Sequence, residues 1–132
     1  MLTSLGRPAL AAIVISLASM SGALAQSAAP AKTAMTSKGK ALVNAKGMTL
    51  YTFDKDTTGK SACNGQCATN WPPLMAAAGA KAPANWSVVK RDDGSEQWAY
   101  KGKPLYAWSK DSKSGDATGD GLLQGAWHVA KP

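Results

Sequence analysis

Residues 46–56 recur 55 positions later. Lys46-Gly47-Met48-Thr49-Leu50-Tyr51-Thr52-Phe53-Asp54-Lys55-Asp56 lies against Lys101-Gly102-Lys103-Pro104-Leu105-Tyr106-Ala107-Trp108-Ser109-Lys110-Asp111, with six of eleven positions identical. Unrelated segments of that length match at about one position, so the chain carries a duplicated unit. Gly65 to Trp71 echoes Gly121 to Trp127 at an offset of 56. A chain of 132 residues has room for one domain, so the two copies must share it.

Each copy has the same local logic. Lys46-Gly47 and Lys101-Gly102 supply a turn, since Gly accepts positive φ without penalty. Short segments flank it, 41–44 and 50–53 in one copy, 97–100 and 105–108 in the other. The aromatics Tyr51 and Phe53, then Tyr106 and Trp108, fall two apart, which puts each pair on one face of a strand. Each copy therefore starts with a β-hairpin. A further hairpin is expected from Trp86 through the Arg91-Asp92-Asp93-Gly94 turn to Trp98, and Trp127 to Ala130 reads as a last strand. Helix signals are weak: Met75 to Ala78 has helix formers, but Pro72, Pro73 and Gly79 bracket it and leave room for a turn or two at most. The expectation is a small all-β antiparallel domain of two pseudo-symmetric halves with little or no helix. Neither half alone has enough strands to bury its aromatic face, so the halves should pack together.

The N-terminus reads differently. Met1 to Ala25 has one charge, Arg7, an apolar run from Ala9 to Leu17, and an A-x-A cleavage site at Ala23-Leu24-Ala25. That is the pattern of a secretory signal peptide, with a run too short for a retained membrane helix. Cleavage would leave Gln26 at the front, with no Cys to carry a lipid anchor. Residues 26–37 hold no aromatic and read as a flexible leader. A single two-repeat domain then fills 38–132, with repeats at about 38–80 and 84–132. The protein is expected to be periplasmic or secreted.

The formal charge is +7, and the lysines are scattered from Lys32 to Lys131 without a basic run. That favours a solvated surface on an exported protein, the alternative being an anionic envelope partner such as polysaccharide or lipid head groups. Export argues against a nucleic-acid partner. One His and two Cys exclude a multi-His metal centre and a Cys₄ zinc site.

Tyr51-x-Phe53-x-x-Asp56 and Tyr106-x-Trp108-x-x-Asp111 both fit the pattern Y-x-[FWY]-x-x-D. In this the chain resembles a bacterial family described as secreted repeats of unknown function, or as predicted lipoproteins with that motif. Cys63-x-Gly65-x-Cys67, Trp71-Pro72-Pro73-Leu74 and Gly125-x-Trp127 agree with it, so the resemblance covers about 38–131. It implies an exported envelope protein and carries no activity with it. The chain departs from the lipoprotein members in lacking the lipid-bearing Cys.

Four features could carry chemistry. Cys63 and Cys67 lie close in an exported chain and should pair as a structural disulfide. A redox-active pair would need a thiol activated at a helix N-terminus, and no helix pattern follows them. The loops at 54–59 and 116–121 begin like calcium loops, which makes Asp54, Asp56, Asp116 and Asp120 weak metal candidates. They lack the twelfth-position Glu and have lysines beside them, so turn chemistry is the favoured reading, and Asp56 and Asp111 in particular should hold duplicated turns. Of the aromatics, Tyr51, Phe53, Tyr106 and Trp108 are assigned to the core, with Trp71 and Trp86 at the surface. His128 could hold copper with Met48 or Met75, but a lone strand His is more often a surface residue. No spacing supports a catalytic triad or a phosphate loop, and no cofactor is called for. The expected role is a non-enzymatic binding or structural module for an unidentified envelope component. The alternative is a redox or metal-handling protein that uses the Cys pair or the acidic loops.

Overall fold

A computed structural model describes residues 29–132. The signal-peptide reading of 1–25 lies outside the described residues. The first hairpin joins β1 (Lys32–Thr36) to β2 (Gly39–Val43), and the chain turns at Lys46-Gly47 into β3 (Tyr51–Phe53). A single helical turn, α1 (Gln66–Asn70), and a two-residue strand, β4 (Met75–Ala76), complete the first copy. The second copy runs β5 (Trp86–Lys90), β6 (Glu96–Tyr100), β7 (Lys103–Pro104), a distorted turn α2 (Leu122–Gly125) and β8 (Trp127–Val129). All strand pairs are antiparallel. The fold is all-β; Tyr51 and Phe53 alternate on β3 as expected, but 105–108 is not a strand, and Tyr106 makes only isolated bridges to Tyr51 and Pro73.

The turn between β6 and β7 shows why its sequence is what it is. Lys101 and Gly102 have φ of 51° and 84°, the two left-handed residues of a tight hairpin turn whose twist matches its strands. Gly at the second place meets that demand without strain.

The duplication extends to the hydrogen bonds. Leu42 N–H donates to the Ala130 carbonyl (2.9 Å), and Trp98 N–H, 56 residues on, donates to Leu74 (2.8 Å). Ala130 N–H to Leu50 (2.8 Å) is matched by Leu74 N–H to Leu105 (2.9 Å). At the centre Tyr51 and Tyr106 exchange two backbone bonds of 2.7 and 3.0 Å, so the equivalent residues of the two copies lie across the pseudo-twofold relation from each other. Strand β3 of the first copy pairs with β8 of the second, Phe53 opposite Trp127. Both copies therefore contribute to both halves of the sheet structure.

Three expectations need correction. Residues 32–36 are not leader: β1 pairs with β2 in the register Lys32↔Val43, which the second copy repeats as Ser87↔Ala99. Its residues are exposed or half-buried, so no apolar alternation marks it. Met75-Ala76 is strand paired with Gln97-Glu96, because the edge of β6 offers backbone partners that outweigh a helix propensity of a few tenths of a kcal/mol per residue. Trp71 is buried, 4% exposed, despite the prolines after it.

The core explains Trp71. Phe53, Trp127, Trp71 and Trp108 form one column of stacked rings, with successive centroids 4.2, 3.7 and 4.0 Å apart. The two central tryptophans are the equivalents in the 65–71 and 121–127 echo and lie parallel within 2°. Tyr51 meets Trp71 edge-on, and Tyr106 meets Trp127 the same way. Such pairs add about 0.5–1.5 kcal/mol each beyond buried area. Gly119 lies against the column, where a Cβ would sit 2.7 Å from the Trp71 ring. A second cluster holds Leu42, Leu50, Leu105 and Ala130, with Leu74, Trp86 and Tyr100 packed on it.

Candidate functional site

The repeated motif turns out to be a reciprocal latch. Tyr51 hydroxyl donates to Asp111 (2.5 Å), and Tyr106 hydroxyl donates to Asp56 (2.6 Å), so each tyrosine reaches the aspartate of the other copy. Each aspartate uses its second oxygen to hold a loop. Asp56 accepts from Ala62 N–H (2.7 Å), and Asp111 accepts from the Thr118 N–H and hydroxyl (2.9 and 2.6 Å). Burial, reinforced by the neighbouring carboxylate, pushes both phenols above their usual range. This arrangement occurs twice and accounts for Tyr51, Asp56, Tyr106 and Asp111 as framework. A binding function is then to be sought where the copies differ.

One difference is internal. Arg91 is 5% exposed, and its guanidinium donates to Cys63 O (2.6 Å), Gln97 Oε1 (2.8 Å), Ser61 Oγ (3.0 Å) and Asn64 Oδ1 (3.3 Å). All four acceptors are neutral. Tyr106 oxygen, having donated to Asp56, accepts from Ser61 (2.6 Å), and Gln97 donates to the Leu105 carbonyl (2.7 Å). Burial raises Asp56 above the usual carboxylate range, against the pull of Ala62 N–H, Tyr106 and the Arg91 charge. The first copy has Ala41 where the second has Gln97, and the second has Ala117 where the first has Ser61. This network is therefore single. It ties the disulfide loop to the β5–β6 hairpin.

The other difference is on the surface. A groove of about 400 Å³ runs between β3, β8 and the β6–β7 hairpin, lined by Lys101, Lys103, Lys131, His128, Asp54 and Tyr100 above a floor that includes Leu105 and Val129. A lobe of about 190 Å³ continues it past Thr52, Asp54 and Lys103 to Asp56, Thr57 and Thr58. His128 Nε2 is 2.8 Å from Asp54 Oδ2. Lys131 is fixed by donating to the Lys38 carbonyl (2.7 Å), and Lys101 Nζ stands 5.2 Å from the Tyr100 ring centroid. At the equivalent places the other copy has Met48 for Lys103, Met75 for Lys131, Pro72 for His128, Ser109 for Asp54 and Asn44 for Tyr100. Lys101 keeps its counterpart in Lys46, so the charge that sets this face apart is that of Lys103, Lys131 and Asp54, with His128 beside them.

The remaining candidates fall as follows. Cys63 and Cys67 are bonded, with Cα atoms 5.2 Å apart. Cys67 is the second residue of α1, which corrects the expectation of a plain loop; one helical turn is too short to leave a periodic pattern. Asp116 accepts from Ser112 and Lys113 N–H, which hold its carboxyl down at about 2. Asp120 accepts from Val129 N–H (3.0 Å) and lies 3.9 Å from Lys38. The four aspartates are thus dispersed among separate partners. His128 meets Asp54, and neither Met48 nor Met75 lines its groove. Trp108 is half-buried at the end of the column, while Phe53 is buried at the other. Sequence reasoning passed over Arg91, Ser61 and Gln97. One signal was available: Arg91 is the sole arginine after Arg7 in a chain otherwise supplied with lysine, and a planar fork is the cation suited to several fixed acceptors.

A family model described as a secreted repeat of unknown function matches residues 32–75 and 87–131. The second match starts 55 residues after the first, at the equivalent place in β5 to the start of β1. No curated protein and no solved structure matches the chain.

Proposed function

The chain belongs to the family of secreted repeats of unknown function, and from that premise we propose that it is a non-enzymatic binding module of the bacterial cell envelope, periplasmic or released. The groove between β3, β8 and the β6–β7 hairpin is its binding face, and its partner is anionic. The observation that carries this reading is the divergence of the two copies. Their shared residues build the latch and the ring column. Lys101 has its counterpart in Lys46, but Lys103, Lys131 and His128 stand where the other copy has Met48, Met75 and Pro72, so these three gather on only one of the two faces. A volume of about 400 Å³ is within the range of small-ligand sites. Asp54 is the sole acidic residue against these cations in the larger lobe, so the field there attracts anions. The disulfide fits the same reading. Cys63 is fully buried and its carbonyl is held by Arg91, which leaves no open approach for thiol exchange at that sulfur.

The test is retention of envelope fractions by the immobilised exported protein, read against Lys103→Met, which copies the other face. Retention that weakens with salt and drops severalfold in the variant is expected. Equal retention by both proteins would remove the groove from the binding face.

A further inference from the structure

We propose that the ligand of this groove is an acidic polysaccharide, a chain of uronate-bearing sugars. This rests on the groove being the binding face and adds what it reads. A site for a bare anion would carry cations alone. Here Asp54 stands among the lysines, with Oδ2 on His128 and, among the described residues, no partner on Oδ1. A carboxylate repels an anion and accepts hydroxyl protons, so a ligand that gains from both groups is anionic and polyhydroxylated. Thr52, Thr57 and Thr58 add hydroxyls along the same line. Tyr100 forms a fixed wall, since Trp86 packs on it at 5.0 Å and Lys101 lies over its ring. Leu105 and Val129, both buried, close the floor beneath these groups.

The groove also has length. The two lobes share Thr52, Asp54 and Lys103, so a ligand in one continues into the other past those three residues. The smaller lobe sets Asp54 and Asp56 against Lys103 alone, so it suits the hydroxyl-bearing part of a chain whose carboxylates lie among the lysines of the larger lobe. Lysines, as point charges on flexible stems, suit carboxylates spaced along such a chain; a bidentate phosphate site calls for the arginine fork, and the one described arginine is spent inside the fold.

The experiment is calorimetric titration of the exported protein with an oligogalacturonate, with polyphosphate of similar charge, and with neutral dextran. Two variants are run, Lys103→Met and Asp54→Ser, each replaced by its counterpart from the other copy and checked for an unchanged near-UV spectrum. The expected result is that oligogalacturonate binds, dextran does not, and both variants lose about tenfold in oligogalacturonate affinity. The sign of the Asp54→Ser effect decides the inference. If oligogalacturonate binding stays constant or tightens in Asp54→Ser, or polyphosphate binds as well as the uronate chain, the groove reads charge alone. The polysaccharide inference then falls and the anion-binding face stands. If neither polyanion binds, both fall.

Discussion

Tyr51 and Tyr106 each do two jobs: their rings pack on a tryptophan and their hydroxyls close the link between copies. Removing one hydroxyl leaves Asp111, itself 8% exposed, short of a donor. Tyr51→Phe should therefore cost about 1–3 kcal/mol, the penalty of an under-satisfied buried acceptor. The pH dependence gives the same residues a second signature. Both phenols are held neutral in the folded protein, chiefly by burial and then by the adjacent carboxylate. In the unfolded chain they ionise at about pH 10. Above that pH the two phenols keep protons in the folded state that the unfolded chain has lost, so their contribution is flat below about 10 and stability falls above it. Two such protons give a slope of up to about 2.7 kcal/mol per pH unit, and Tyr51→Phe should halve it. Denaturant titrations from pH 8 to 11.5 read both quantities. A variant with the wild-type alkaline slope would show that the buried phenol is not what falls out of balance.

Among the elements, the sequence made visible those whose side chains enter the core. Hairpins around Lys101-Gly102 and Asp93-Gly94 were legible because glycine marks the turn; at Lys46-Gly47 the turn was legible but the strand partner was not, since β3 pairs with β8 and only Val43 and Thr49 bridge across that turn. The elements missed share one property: their position is set by backbone partners and not by their own side chains. Strand β1 buries nothing of its own and is held by the ladder to β2. Strand β4 is two residues recruited by β6, and α1 is one turn closed by bonds such as Trp71 N–H to Cys67 O at 2.7 Å. The groove was illegible for a related reason, since Lys103, Lys131 and Asp54 are far apart in sequence and meet only because β3 pairs with β8 from the other copy. Even so, comparing Lys103 with Met48 and Lys131 with Met75 across the repeat could have shown the asymmetry. The disulfide tests how far α1 depends on its cross-link. It closes a loop of about five residues, so the chain-entropy gain is about 2 kcal/mol. Reduction should lower the melting temperature by roughly 10 °C in a domain of this size and leave a single transition, because Arg91 still binds the loop carbonyl and the β3–β8 pair is untouched. Intact-mass analysis with alkylation before and after reduction gives the thiol count. Two free thiols in protein taken from the exporting cell would contradict the bond.

At the scale of the whole molecule, neither copy is a domain. The first contributes β3, Asp56 and Trp71; the second must supply β8, Tyr106 and the two tryptophans that flank Trp71. Splitting the chain in the exposed connection 77–85 should therefore give two fragments, 29–80 and 81–132, that are each unfolded alone. Each would expose half of a ring column and one half of each latch, and too few strands to shield them. Mixed in equal amounts they should refold into one complex, with the near-UV circular dichroism of stacked tryptophans and a melting temperature that rises with concentration. Self-pairing is the competing outcome, since pseudo-symmetric copies could replace each other. The structure opposes it on both sides. Two first copies would set Cys63 where Gly119 stands, and a Cβ there lies 2.7 Å from the Trp71 ring. Two second copies would set Arg91 against Ala117 in place of Ser61, with a buried guanidinium short of an acceptor. The mixture should thus outcompete both homodimers, and native mass spectrometry would show a complex of one fragment of each kind. A cooperative melt from either fragment alone would mean that one copy can bury its own aromatics. The reciprocal Tyr–Asp latch would then be an accessory to the fold and not its condition.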